Sequence, residues 1–211
     1  MFKTKSFLMA AIATLFTGAI AGSAMAADNL PTQAQTYAGI NFAAQAKYDL
    51  SCLGTTSCDT KAKSSGKIYA GYLAAPTLFE GVNVSQGAEL MYYKVGSAVA
   101  TYPASLSNSS SETLLRSTDG LAASYVLQAN FNDFSLNGRA GIAYTRNKVT
   151  SSLAGNSTTD KAFIVPVFGL GIRYAVAKNI SLNADYDRLP NKFGSDKGVI
   201  NMLSLGVGYK F

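Results

Sequence analysis

From residue 37 to the C-terminus, apolar and polar residues alternate with a period of two, the spacing of a β-strand whose two faces meet different surroundings. Eight segments carry the pattern: 37–48, 67–74, 82–95, 121–131, 134–148, 163–175, 180–187 and 199–211. In the first, Ala38, Ile40, Phe42, Ala44, Ala46 and Tyr48 share one face, and Tyr37, Gly39, Asn41, Ala43, Gln45 and Lys47 the other. In the last, Leu203, Leu205, Val207, Tyr209 and Phe211 oppose Met202, Ser204, Gly206, Gly208 and Lys210. The connections alternate as well. Short ones fall around Pro76-Thr77, at Asn132-Asp133 and at 176–179, and longer polar ones at 50–66, 96–119, 149–162 and 188–198.

The first 26 residues follow another rule. Lys3 and Lys5 precede an uncharged apolar run over 7–22, and Ser23-Ala24-Met25-Ala26 ends it with small residues at the positions signal peptidase reads. This predicts a cleaved secretory signal peptide at 1–26. A membrane-anchoring helix is disfavoured, because spanning needs about 20 apolar residues. Beyond it no apolar stretch approaches that length. An exported chain can still cross a membrane as a closed β-barrel, where every backbone group is paired. A tilted strand needs about 9–11 residues to cross, and an even strand count with short turns on one side and long loops on the other fits the outer-membrane arrangement. The expected fold is all-β, an eight-stranded antiparallel up-and-down transmembrane β-barrel over 36–211, with 27–35 a short periplasmic segment.

Charged residues are only 14% of the chain, well below the roughly 25% of soluble proteins. Alternation alone leaves two orientations open, a lipocalin-like barrel with its apolar face inside and an outer-membrane barrel with that face in lipid. The polar face is rich in Gly, Asn, Gln and Ser and poor in charge, which suits a narrow hydrogen-bonded interior. The C-terminus adds Ser204, Gly206, Tyr209 and Phe211, in the order polar, Gly, aromatic, terminal aromatic. That pattern looks like the signal read by the bacterial barrel-assembly machinery. On these residues the chain resembles the small eight-stranded outer-membrane barrels, the OmpA membrane domain, OmpX and opacity-protein type, without a C-terminal periplasmic domain. The resemblance implies the outer membrane of a Gram-negative bacterium. It also implies contact with the assembly machinery, periplasmic chaperones, outer-membrane lipids and lipopolysaccharide, and offers the loops as a site for a host surface ligand.

The remaining features bear on function. Removing 1–26 lowers the formal charge from +6 to +4, without a clustered basic stripe, so nucleic acid is not an expected partner. The chain has no His, which excludes Ser-His-Asp and Cys-His catalysis and His-ligated zinc. No enzyme activity, metal or cofactor is expected. Cys52 and Cys58, close together in an exported chain with no third Cys, should pair as a disulfide bracing the first long loop. Lys47, Glu89, Arg139, Arg173, Asp185, Asp187 and Lys210 fall on the expected inner face, where they should pair into a lumen network. Arg139 should meet Asp185 first and Glu89 second. Lys61, Lys63, Lys67, Lys148, Lys161, Lys192 and Lys197 are expected in or beside the outer loops. Tyr48, Tyr92, Tyr144 and Tyr186 on the loop side, and Phe79, Phe131, Phe134, Tyr174, Tyr209 and Phe211 on the turn side, should form two aromatic girdles. The expected function is non-catalytic display of four extracellular loops, in adhesion, host or lipopolysaccharide contact, or envelope stabilisation. A small porin-like channel of low conductance is the alternative.

Overall fold

The computed structural model describes residues 33–49, 52, 55–104, 111–152, 158–193 and 196–211. The signal segment expected at 1–26 lies outside the described residues, as do the side chains of Lys192 and Lys197. The strands are β1 (Gln35–Tyr48), β2 (Ser57–Asp59), β3 (Gly66–Leu73), β4 (Thr77–Phe79), β5 (Val82–Tyr102), β6 (Glu112–Phe131), β7 (Phe134–Ser151), β8 (Thr158–Ala175), β9 (Ile180–Phe193) and β10 (Asp196–Lys210). Eight of them close into a ring, β1-β3-β5-β6-β7-β8-β9-β10 and back to β1, every pair antiparallel, while short β2 and β4 flank β5. β1 begins at Gln35, one residue before the barrel start expected at 36.

The polarity is inverted relative to a water-soluble barrel. Ile40, Leu90, Leu127, Leu136, Ile142, Tyr144, Leu170, Leu182 and Leu205 are exposed, while Asn41, Glu89, Gln128, Asn137, Arg139, Asn183 and Asp185 are buried. A continuous apolar exterior of this extent has no place on a soluble monomer, and the lipocalin-like orientation does not hold.

Strand register sets the tilt. One row of cross-strand partners runs Phe131, Phe134, Tyr174, Leu182, Val207, Ile40, Ile68, Tyr92 and returns to β6 at Leu121. It comes back ten residues from where it started, a shear that tilts eight strands by roughly 40°.

Several boundaries differ from the sequence pattern. The connections expected at 96–119, 149–162 and 188–198 are largely strand, because β5–β6, β7–β8 and β9–β10 continue as hairpins beyond the apolar band. There the inward positions mix apolar Ala98, Ala100 and Leu189 with polar Thr118 and Asn191, so backbone pairing persists without a regular alternation of hydropathy. The connection expected at Pro76-Thr77 instead closes at Glu80-Gly81, where both residues have positive φ, 48° and 83°. That is the backbone of a tight hairpin turn, for which Gly is suited.

Two bulges change which face a residue takes. Between Ala43 and Gln45 the β1–β10 register slips, and between Val95 and Ala98 the β5–β6 register does the same. Because side chains alternate with a period of two, one extra residue moves everything beyond it to the other face. Ala46 and Tyr48 therefore point inward, and Lys47 outward. The β8–β9 ladder stops at Phe168–Arg188, although both strands continue. Extending that register would set Pro166 opposite Pro190, and neither can donate an N–H.

Candidate functional site

The middle of the lumen holds a closed charge network. Lys67, Arg139 and Arg173 face Glu89, Asp185 and Asp187, three cations against three anions, and all six are buried. Lys67 Nζ lies 2.6 Å from Asp187 Oδ2 and 3.0 Å from Asp185 Oδ2. Arg139 binds Asp187 through Nη2 at 2.8 Å and Nε at 3.0 Å, and reaches Asp185 and Glu89 at 3.3 Å each. Arg173 contacts Glu89 at 3.4 Å, donates to Gln128 Oε1 at 3.0 Å, and stacks its guanidinium 4.4 Å from the Tyr37 ring centroid. Tyr37 donates its hydroxyl to Glu89 Oε2 at 2.9 Å, and Asn41 donates its amide to Asp185 Oδ2 at 2.7 Å. A buried charge stripped of its partner costs several kcal/mol, so equal numbers and short distances are the condition for this cluster to exist.

Glycines make room for it. Arg139, Gly169 and Asp187 occupy one row on β7, β8 and β9. With no side chain on the middle strand, the Arg139 guanidinium crosses directly to Asp187. A Cβ on Gly169 would stand only 2.8 Å from Arg139 Cγ and 2.7 Å from Asp187 Oδ1. Tyr37 and Tyr69 lie opposite Gly71 and Gly39, each ring filling the space over the facing glycine.

Above this network, toward the loops, the interior turns apolar. Tyr48, Tyr93, Val95, Leu189, Ile200 and Met202 are fully buried, joined by Met91, Val165 and Val167. Higher still, Asn191 donates to Thr118 Oγ1 at 3.1 Å and Thr118 donates to Asn147 Oδ1 at 2.9 Å, while Asn147 donates back to Asn191.

Set against the sequence expectations, Glu89, Arg139, Arg173, Asp185 and Asp187 are brought together in the lumen. Lys47 is not: the β1 bulge turns it outward, where it is exposed. Lys210 sits half-buried at the turn end and joins no ion pair among the described residues. Lys67, expected beside an outer loop, is instead a buried member of the network. Its parity with Tyr69 and Gly71 was the signal for that. Arg139 meets Asp187 rather than Asp185 most closely. The register of the β7–β8 and β8–β9 seams puts Asp187, and not Asp185, in the row of Arg139 and Gly169. Tyr48, expected in the outer girdle, is 1% exposed and lies inside.

Residues 12–211 match the family profile described as outer membrane protein beta-barrel domain. The chain belongs to that family. Outer-membrane beta-barrels of this family lie in the outer membrane of Gram-negative bacteria, and so does this one. Its fold is similar to Ail, the attachment invasion locus protein of Yersinia pestis, solved in complex with the heparin analogue sucrose octasulfate. Identity is 15%, covering 85% of this chain and 99% of that one, with a TM-score of 0.54. It is also similar to Neisserial surface protein A, at 23% identity over 83% of this chain and 97% of that one, TM-score 0.54. No curated protein sequence matches the chain.

As in an outer-membrane beta-barrel generally, aromatic side chains border the lipid-facing band. Tyr92, Tyr144 and Tyr186 are exposed toward the loops, and Phe79, Phe134, Tyr174, Tyr209 and Phe211 toward the turns, with Phe131 stacked on Phe134. Cys52 and Cys58 form a disulfide. Cys58 pairs with Ala100 through β2, fastening the first loop to the upper part of β5. Along β10, Ser204 and Gly206 face inward and Tyr209 and Phe211 face lipid. Phe211 N donates to Thr36 O at 3.0 Å, so the last residue helps close the β1–β10 seam.

Proposed function

We propose that this outer-membrane barrel is a non-catalytic surface protein, whose four extracellular connections make its contacts in adhesion, host or lipopolysaccharide contact, or envelope stabilisation. The observation that carries this reading is the filled interior. A neutral charge network occupies the middle, and an apolar layer of Tyr48, Tyr93, Leu189, Ile200 and Met202 lies above it. A lumen filled by packing leaves the exposed hairpins as the water-facing part of the molecule. Their chemistry favours anionic partners: Lys61, Lys63, Lys148 and Lys161 are exposed there, and the Cys52–Cys58 bridge holds the first loop in shape. Within this reading, residues 1–26 act as the export signal, and Ser204, Gly206, Tyr209 and Phe211 as the signal for barrel assembly.

Two measurements test it. Cells displaying the barrel should bind host-surface glycans or lipopolysaccharide through the loops, and shortening the β7–β8 hairpin so that Lys148 and Lys161 are lost should weaken binding while the barrel stays folded. In planar bilayers the purified protein should give no stable single-channel steps. Regular conductance steps would replace this reading with the small channel.

A further inference from the structure

The β1 bulge that turns Lys47 outward also places it in an unexpected row. Lys61 lies opposite Lys47, Lys47 opposite Asn201, and Asn201 opposite Arg188. Four consecutive chain segments around the wall therefore present Lys, Lys, Asn and Arg in one cross-strand row, all on the outer face. At about 4.8 Å between strands the row spans roughly 14 Å. Lys47, Lys61 and Arg188 are exposed, and none joins an ion pair among the described residues. Tyr186 donates its hydroxyl to Asn201 Oδ1 at 2.7 Å. That occupies the amide acceptor and leaves Asn201 Nδ2 as a donor between the cations.

The height of the row matters as much as its charge. The next row toward the turns is Gln45, Leu203 and Tyr186, and below it come exposed Leu205 and Phe42. With the strand tilt the row climbs by roughly 9 Å from Arg188 to Lys61, so the cations step upward through the loop-side edge of the apolar band. Arg188 also stands at the foot of the gap where the β8–β9 ladder stops, beside exposed Phe168 and Pro166. A group docking here has acyl-compatible wall beneath it and the donors of Lys47, Asn201 and Arg188 along the row. Two carboxylates lie near its upper end: Asp59 Oδ1 accepts from Lys61 N at 3.0 Å, and Asp49 is exposed two residues beyond Lys47.

We infer that Lys61, Lys47, Asn201 and Arg188 form a wall site for the phosphorylated headgroup of an outer-leaflet lipid. Arg188 supplies the planar fork suited to a phosphate, Lys47 and Lys61 supply point charges, and Asn201 supplies a neutral donor between them. The lipid's chains lie against Leu203, Leu205 and Phe42. The site deepens the proposed lipopolysaccharide contact, but moves it from the loop tips to the barrel wall.

The test uses the full mature barrel in detergent with its loops intact. The probes are bis-phosphorylated lipid A, the same lipid stripped of its phosphates, and millimolar inorganic phosphate as competitor. The triple variant Lys47→Gln, Lys61→Gln, Arg188→Gln should bind bis-phosphorylated lipid A more weakly by on the order of a hundredfold, about a factor of five for each charge removed at a membrane surface. Lys148→Gln with Lys161→Gln should bind as wild type. If the triple variant fails to migrate as a heat-modifiable barrel, Arg188→Gln alone carries the test, with an expected loss of about fivefold. Undiminished binding by the variant, or equal binding of the phosphate-free lipid, overturns the site. Full competition by inorganic phosphate overturns the lipid assignment in favour of a free-anion site. Loop shortening in the cell-binding assay leaves this row untouched, so either reading can fail without the other.

Discussion

Arg139→Leu tests the lumen network at its most connected point. The wild-type cluster balances Lys67, Arg139 and Arg173 against Glu89, Asp185 and Asp187. Leucine removes the one cation that touches all three carboxylates. Breaking a buried pair costs about 3–5 kcal/mol. Here Lys67 still holds Asp187 at 2.6 Å and Asp185 at 3.0 Å, and Arg173 still reaches Glu89 at 3.4 Å. No carboxylate is left wholly bare, so the loss should fall at the low end, about 3 kcal/mol. The excess negative charge is the cause, and removing it should restore stability. Asp187→Asn in the Arg139→Leu background leaves Lys67 and Arg173 against Glu89 and Asp185. The double variant should therefore be more stable than the sum of the two single losses by about 2 kcal/mol, within the range seen for residues sharing one network. Urea unfolding in detergent micelles, followed by the heat-modifiable shift on gels, measures all three variants. Strictly additive losses, or an Arg139→Leu barrel as stable as wild type, would refute the account of the lumen as a charge-balanced core.

Ala140→Arg, one residue away but on the lipid face, should cost about 2–4 kcal/mol for a different reason, a charge near the bilayer midplane, and the cost should not be relieved by Asp187→Asn. Gly169→Val should destabilise the barrel by separating Arg139 from Asp187, and unfolding midpoints should show a larger loss than for Gly138→Val, whose added Cβ would meet nothing nearer than Leu170 Cδ2 at 3.8 Å. Cys52→Ser with Cys58→Ser should leave the barrel embedded while limited proteolysis cuts the first loop faster; unchanged cleavage would show that β2 alone holds the loop. Phe211→Ser should lower the amount of assembled barrel in the outer membrane and leave chain in the periplasm, read by fractionation and heat-modifiability.

The sequence pattern carried the fold because lipid on one side and a packed interior on the other impose the same two-residue period on all eight segments. It failed where something local breaks that period. A single extra residue at Ala44 exchanged the faces of Lys47 and Tyr48, moving a charge from lumen to wall and a Tyr from girdle to core. Nothing in the composition of 43–46 marks such a bulge, since four small or polar residues fit either register. The loops were overestimated for the opposite reason. Upper β5 to β9 remain paired, but their inward positions mix apolar residues such as Ala98 and Leu189 with polar ones such as Thr118 and Asn191, and their pairing was invisible in hydropathy.

The interior shows a second limit of reading one strand at a time. Each inward face alone looks like a mixed list: Glu89 beside Met91 and Tyr93, Asp185 and Asp187 beside Leu189, Lys67 beside Tyr69. Stacked with a ten-residue shear, the charged members gather into one layer and the apolar members into another. The separation has an energetic cause. A charged group placed in the apolar layer would find no partner, and an apolar side chain among the carboxylates would take the place of a hydrogen-bond donor. Asp187 and Leu189 are successive inward positions on β9, yet one is bound by Lys67 and Arg139 and the other packs in the layer of Ile200 and Met202. The shear decides which of them meets which neighbours. A residue's role in a barrel this narrow is therefore a property of its row around the wall, and the row becomes legible only once the register of every seam is known.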